Sequence, residues 1–274
     1  IYDIDFNIAG DKIYAAGSIN SVGQIFLESI NLDGSSAWDI STTSSLTDWR
    51  STQIEESPTH GQWYSSTASS IDGLSLKKWY LIDSNALSAI HLPHLNSSHA
   101  IPPSSNPASG ITKIQGGFHS AGNFIDIATF FDGIEDYEAV VRSNGIVIGR
   151  DNFLAHETAY DPANNILYAM GWDTSRQRST VNLYKFNLNN PAIGWLKSPN
   201  FSITPPTVVD SFGINSLEYD LTSGSIVYGG YAYHTNNSSI VYGLAGELSA
   251  TNTTQNTYQY IRLGVPGTGM GDSS

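Results

Sequence analysis

Three strings in this 274-residue chain repeat one another closely enough to limit what it can fold into. They are "YDIDFNIAGDKIYAAG" (2–17), "HETAYDPANNILYAMG" (156–171) and "NSLEYDLTSGSIVYGG" (215–230). Each begins with an alternating run that ends in an aromatic followed by Asp or Asn. A few turn-forming residues follow, then a second apolar run that ends in Tyr and a small or glycine-rich step. Two β-rich runs joined by such residues are the signature of a hairpin. Hairpins repeated at intervals long enough for one four-stranded unit plus loops of variable length mean a stacked or radial array.

Weaker copies fill the gap. "WYSSTASSIDGLSLKKWYLIDS" (63–84) is read as strand, turn at Ile71-Asp72-Gly73, and second strand around Trp79-Tyr80. "GFHSAGNFIDIATFFDG" (117–133) has its turn at Ala121-Gly122-Asn123. Each hairpin is followed by a further pair. In "EAVVRSNGIVIG" (138–149) the Asn144-Gly145 step is a strong two-residue hairpin turn. The second unit is the poorest, ending in "SAIHLPHLNSSHAI" (88–101). The reading is all-β: a β-propeller of five four-stranded antiparallel blades at 2–40, 63–101, 114–150, 155–198 and 213–263. It forms one domain over 1–263, followed by a Gly-rich flexible tail at 264–274. The repeated strings are expected to be inner blade strands, with Gly17, Gly171, Gly229 and Gly230 sparing a crowded axial channel.

Hairpins of the form YD-turn-ILYAMG resemble those of kelch-type and related extracellular propellers, in which a hydrophobic-Tyr-x-x-Gly strand recurs once per blade. The paired glycines of that family are matched at Gly229-Gly230 and, less clearly, at Gly116-Gly117. The resemblance implies architecture. It carries over no catalytic residue.

Charge narrows the partners. Asp and Glu number 25 against 12 Lys and Arg, which argues against nucleic acid, since phosphate binding needs a basic footprint. There are no cysteines, so disulfides, thiolate metal sites and cysteine nucleophiles are absent together. No run approaches the ~20 apolar residues of a membrane span. The chain opens on Ile1, which suggests a processed chain or a fragment. Asn-x-Ser/Thr sequons at Asn96, Asn200, Asn236, Asn237 and Asn252 all fall in stretches read as loops or turns. Together with low Lys content they point to a secreted or cell-surface glycoprotein.

Candidate ligand groups sit in polar loops that carry aromatics, where function concentrates. The long loop 41–62 holds Trp49 and Arg50, a stacking ring and a hydrogen-bonding fork suited to a sugar; the alternative is that Trp49 anchors the loop. The loop 171–180 holds Trp172, Asp173, Arg176 and Arg178, suited to an acidic group; the alternative is arginines paired with nearby acids. In 231–239, Tyr231, Tyr233 and His234 fall on the equivalent rim.

Other clusters are weaker. His91, His94 and His99 do not share a strand face, so no metal site is expected there. "FDGIEDYE" (131–138) is rich in oxygen donors but lacks EF-hand spacing, so no cofactor is expected, with calcium the lesser alternative. "DPANN" and "DLTSGS" read as Asx turns. No G-x-S-x-G, H-E-x-x-H or phosphate-binding glycine loop is present. A hydrolase would need converging carboxylates. Asp3, Asp5, Asp83, Asp126, Glu157 and Glu218 are candidates, with Asp126 the most suggestive and an outward-facing position its alternative.

The expectation is a non-catalytic binding module, carbohydrate-binding or adhesive, for a glycan or an extracellular protein. The alternatives are a glycoside hydrolase or lyase with axial carboxylates, and a structural subunit of an extracellular assembly.

Overall fold

The computed structural model describes residues 3–6, 12–19, 24–43, 50–56, 63–71, 74–83, 88–91, 97–100, 110–120, 123–131, 137–173, 181–203, 209–234, 237–250 and 256–263. They are almost entirely β. Among them no helix is long and apolar enough to cross a membrane.

The strands fall into five sheets in chain order. The first holds β1 (Asp3–Phe6), β2 (Lys12–Ile19), β3 (Gln24–Asn31) and β4 (Ser36–Thr43). The second holds β5 (Arg50–Glu56), β6 (Trp63–Ile71), β7 (Leu74–Asp83), β8 (Ser88–His91) and β9 (Ser97–Ala100). The third holds β10 (Gly110–Ser120), β11 (Asn123–Phe131), β12 (Tyr137–Ser143) and β13 (Ile146–Asp151). The fourth holds β14 (Phe153–Asp161), β15 (Ile166–Asp173), β16 (Val181–Asn187) and β17 (Trp195–Ile203). The fifth holds β18 (Val209–Asp220), β19 (Ser225–His234), β20 (Asn237–Ser249) and β21 (Asn256–Leu263).

Turn chemistry explains why the hairpins close where they do. Asn144 and Gly145 take φ of 47° and 81°, the left-handed pair that a two-residue turn requires. Asp161 ends β14 and accepts from the backbone N–H groups of Ala163 (3.0 Å) and Asn164 (3.1 Å). Asp220 does the same for Thr222 N–H at 2.8 Å. The repeated Tyr-Asp step is therefore a turn-closing device, as an Asx-turn reading expects.

The second sheet departs from expectation. Residues 50–56 form its first strand, so the loop expected over 41–62 is interrupted by β5. The Trp79-Tyr80 strand is third in its sheet, not second. β8 and β9 lie end to end along the same edge of β7, opposite Tyr80–Asp83 and Leu74–Lys77. Pro93 lies between them in the sequence and outside the described residues. Asn200 lies within β17, not in a loop, in a stretch where the register against β16 shifts. Asn237 opens β20. Asn96, Asn236, Asn252 and the tail 264–274 lie outside the described residues.

The chain divides into two compact units, one of residues 1–136 and 140–148, the other of 137–139 and 149–274. In the first, β1 and β2 lie beside β5, and β5 and β6 beside β10. In the second, β14 lies beside β18. In the second unit it is thus mainly the first strand of sheet four, not the second, that approaches the next sheet, whereas in the first unit both β1 and β2 meet β5.

This corrects the expected reason for the glycines. A Cβ on Gly171 would stand 2.0 Å from the Leu154 carbonyl oxygen, and one on Gly230 would stand 2.1 Å from that of Gly213. Both glycines face a β-bulge in the first strand, between Ala155 and Glu157 or between Ile214 and Ser216. The bulge drives partner backbone into the space a side chain would need. Gly116 and Gly117 sit at a bulge in β10, so they do not match the Gly229-Gly230 pair in β19.

The core of the second unit lies between sheets four and five. Tyr168, Met170, Val181 and Leu183 pack against Ile214, Leu217, Ile226, Tyr228 and Leu244, all buried. Burying each large side chain is worth about 1.5–3 kcal/mol. The far face of sheet four buries Phe153, Tyr184, Phe186 and Trp195. The Phe153 and Tyr184 rings stack at 3.8 Å, and Trp195 meets Phe153 edge-on at 5.3 Å.

Candidate functional site

Strand alternation sends Trp172 and Asp173 to opposite faces of β15. Trp172 lies against the core between sheets four and five and meets the His156 ring edge-on at 4.2 Å. His156 is the extra residue of the β14 bulge, which aims it at the indole. Asp173 emerges on the other face, beside β16 and β17.

There Asp173 joins two groups that the sequence reading did not single out. Lys197 Nζ donates to Asp173 Oδ2 at 2.5 Å. The Tyr184 hydroxyl donates to Asp173 Oδ1. Tyr184 and Lys197 are direct cross-strand partners in the β16–β17 register. That pairing was the only signal available, and it requires knowing the register.

Burial works to raise the Asp173 carboxyl, but the bonds from Lys197 and Tyr184 outweigh it and hold the group below its ordinary range. Burial and the Asp173 carboxylate push the Tyr184 phenol well above its ordinary range. A phenol held protonated is a hydrogen-bond donor, not a base or nucleophile. The Lys197 and Asp173 side chains are 46% and 41% exposed. The cluster therefore presents a carboxylate and an ammonium at one end of sheet four, backed by a buried phenol.

A second basic group lies on the core face. Lys185 donates to the Ala250 carbonyl at 2.9 Å and stands 5.5 Å from the centre of the Tyr168 ring. Burial lowers its affinity for the proton.

Asp126 is neither outward-facing nor open to a channel. It is 2% exposed, and Arg142 Nε donates to its Oδ1 at 2.7 Å. Arg142 is itself buried, and its Nη2 has no hydrogen-bond partner. Glu157 and Glu218 lie on β14 and β18, adjacent first strands of the second unit. Asp3 and Asp5 lie on β1, and Asp83 ends β7.

The remaining expected ligand groups lie on other strands or outside the described residues. Arg50 opens β5 opposite Ala68, and Tyr233 lies in β19 opposite Ser211 and Val241. By register from Gly171 and Gly230, the residue equivalent to Trp172 is Tyr231 rather than Tyr233. Trp49, Arg176 and Arg178 lie outside the described residues.

Among the described residues no three His, Asp or Glu side chains gather as metal ligands would. His91 and His99 pair with Tyr80 and Ser75 of β7, five residues or about 17 Å apart along the strand. His94 and Asp132, Glu135 and Asp136 of the acidic loop lie outside the described residues. Glu138 meets Arg150 at 3.3 Å.

No protein-family model matches the chain, and no curated protein does. Among solved structures it is similar to puromycin hydrolase, with TM-score 0.50 and 12% identity, over 97% of this chain and 38% of that one. It is also similar to the exo-β-1,3-galactanase of Phanerochaete chrysosporium, solved with galactose. That match has TM-score 0.49 and 10% identity, over 94% of this chain and 65% of that one. The chain thus spans less than two thirds of either protein. The likeness supports a propeller-like all-β fold and no specific kelch family.

Proposed function

We propose that the chain is a five-bladed β-propeller, secreted or at the cell surface, that recognises a glycan or a protein partner without catalysis. The observation that supports this reading is the Asp173–Tyr184–Lys197 cluster. It offers donors, acceptors and both signs of charge at a partly exposed sheet end, with its phenol held protonated and its carboxylate engaged on both oxygens. Such a set orients a polar ligand and activates no nucleophile. Asp126, the carboxylate best suited by sequence to acid–base work, is already held by Arg142. A glycan array probed with the intact chain, with and without calcium, tests the reading. A defined sugar hit that weakens in Lys197→Ala or Trp49→Ala supports it.

A second reading, a hydrolase with axial carboxylates, draws on the placement of Glu157 and Glu218 on adjacent first strands. The hydrolytic activity named for puromycin hydrolase lends it a candidate chemistry. Hydrolysis of glycoside or peptide substrates that is lost in both Glu157→Gln and Glu218→Gln would move the account to it.

A further inference from the structure

Sheet four carries a lysine on the face it turns toward sheet five. The cross-strand row there reads Ala159, Tyr168, Lys185, Leu196 from β14 to β17. By the repeated strings, the matching row of sheet one reads Asp5, Tyr14, Ser29, Trp38. The tyrosine is buried in both sheets, but its neighbour in sheet one is a buried serine. The fold therefore does not demand a cation at this place.

Lys185 is half-buried, and its Nζ keeps neutral company. It donates to the Ala250 carbonyl at 2.9 Å and stands 5.5 Å from the centre of the Tyr168 ring. Among the described residues no carboxylate pairs with it. Lys197 is the contrast, since it is bound to the Asp173 carboxylate at 2.5 Å. An ammonium left without an acid stands out in a chain of net charge −13.

Desolvation disfavours the charged form of a lysine, and no acid offsets it here. The neutral amine can go on donating an N–H to Ala250, because that bond leaves the nitrogen lone pair unused. A desolvated amine of this kind is a nucleophile toward carbonyl compounds. The outer edge of the sheet is its open side, where Leu196, its direct cross-strand partner, is 55% exposed.

We propose that Lys185 is a covalent modification site that condenses with small aldehydes. The Nζ lone pair adds to the carbonyl carbon, and a proton passes from the nitrogen to the carbonyl oxygen. Loss of water from that adduct leaves a C=N bond between Nζ and the former aldehyde carbon. No oxidant or reductant takes part. The inference does not depend on the glycan-binding reading.

Treating the intact chain with dilute glycolaldehyde, and with cyanoborohydride to trap the imine as a secondary amine, tests it. Peptide mass spectrometry then reads the modified fraction at each of the six lysines. Lys185 is expected to react at least tenfold faster than any other lysine. Leu196→Glu, at an exposed position that should fold normally, sets a carboxylate beside the amine. It should slow Lys185 at least threefold, with an unchanged melting temperature as the check. Labelling spread evenly over the lysines overturns the proposal, as does Lys185 reacting among the slowest. A fast Lys185 that is indifferent to Leu196→Glu overturns it as well.

Discussion

Gly171 lies so close to Leu154 that a Cβ on the glycine would stand 2.0 Å from the leucine carbonyl oxygen and 2.9 Å from its carbon. The obstacle is backbone held in a bulge, so it cannot swing aside as a flexible side chain would. Gly171→Ala is expected to destabilise the second unit by about 1–3 kcal/mol or more, the usual range for overpacking. Gly230→Ala, opposite Gly213, should behave alike. Urea unfolding monitored by tryptophan fluorescence reads both. Neutral substitutions would mean the bulges are not as described.

Asp126 and Arg142 form a buried pair, 2% and 4% exposed at the side chain. Removing one partner leaves an uncompensated buried charge, which typically costs roughly 3–5 kcal/mol. Asp126→Ala should therefore lower stability strongly, whereas the double replacement by apolar residues of similar volume should recover most of the loss. A double-mutant cycle by chemical denaturation measures this. If Asp126→Ala abolished a catalytic activity while leaving stability intact, the carboxylate would belong to chemistry instead.

Tyr168 and Tyr184 both hold their protons more tightly in the fold than the ordinary phenol near pH 10, mainly through burial. In the unfolded chain they ionise near 10, so above that pH the unfolded state binds fewer protons than the native state. Stability should then fall as pH rises past about 10, by up to ~1.4 kcal/mol per pH unit for each group. Phenolate absorbance for these two residues should appear together with loss of the fold. Their ionisation in a still-folded protein would contradict the burial.

The Lys197–Asp173 pair is a weaker affair, because both side chains are more than a third exposed. Lys197→Met should cost less than about 1 kcal/mol, since solvent screens such pairs. The depressed Asp173 carboxyl contributes stability that is fully present above its unfolded value of 3.8 and is lost as pH falls through the lower folded value. A thermal melt series between neutral and strongly acidic pH checks the sign. A gain in stability on acidification in that window would refute it.

Much of the strand pattern was legible because local chemistry set it. Asp161, Asp220 and Asn144-Gly145 close their turns with side chains and φ angles that the sequence advertises. β5 was not legible: "RSTQIEE" has one apolar residue, and only pairing with β6 makes it a strand. The candidate site was less legible still. Asp126 and Arg142 are 16 residues apart, and Asp173 and Lys197 are 24 apart, brought together by registers that periodicity does not fix. The glycines were read as relief for an axial channel because the bulges opposite them leave no mark in the glycine-bearing strand itself.

The most direct test of the account is a glycan array probed with the intact chain at low salt, with and without calcium. Selective binding to a defined set of glycans, weakened by Lys197→Ala, is the expected result. An array with no selective binding, together with glycoside hydrolysis that depends on Glu157 and Glu218, would contradict it.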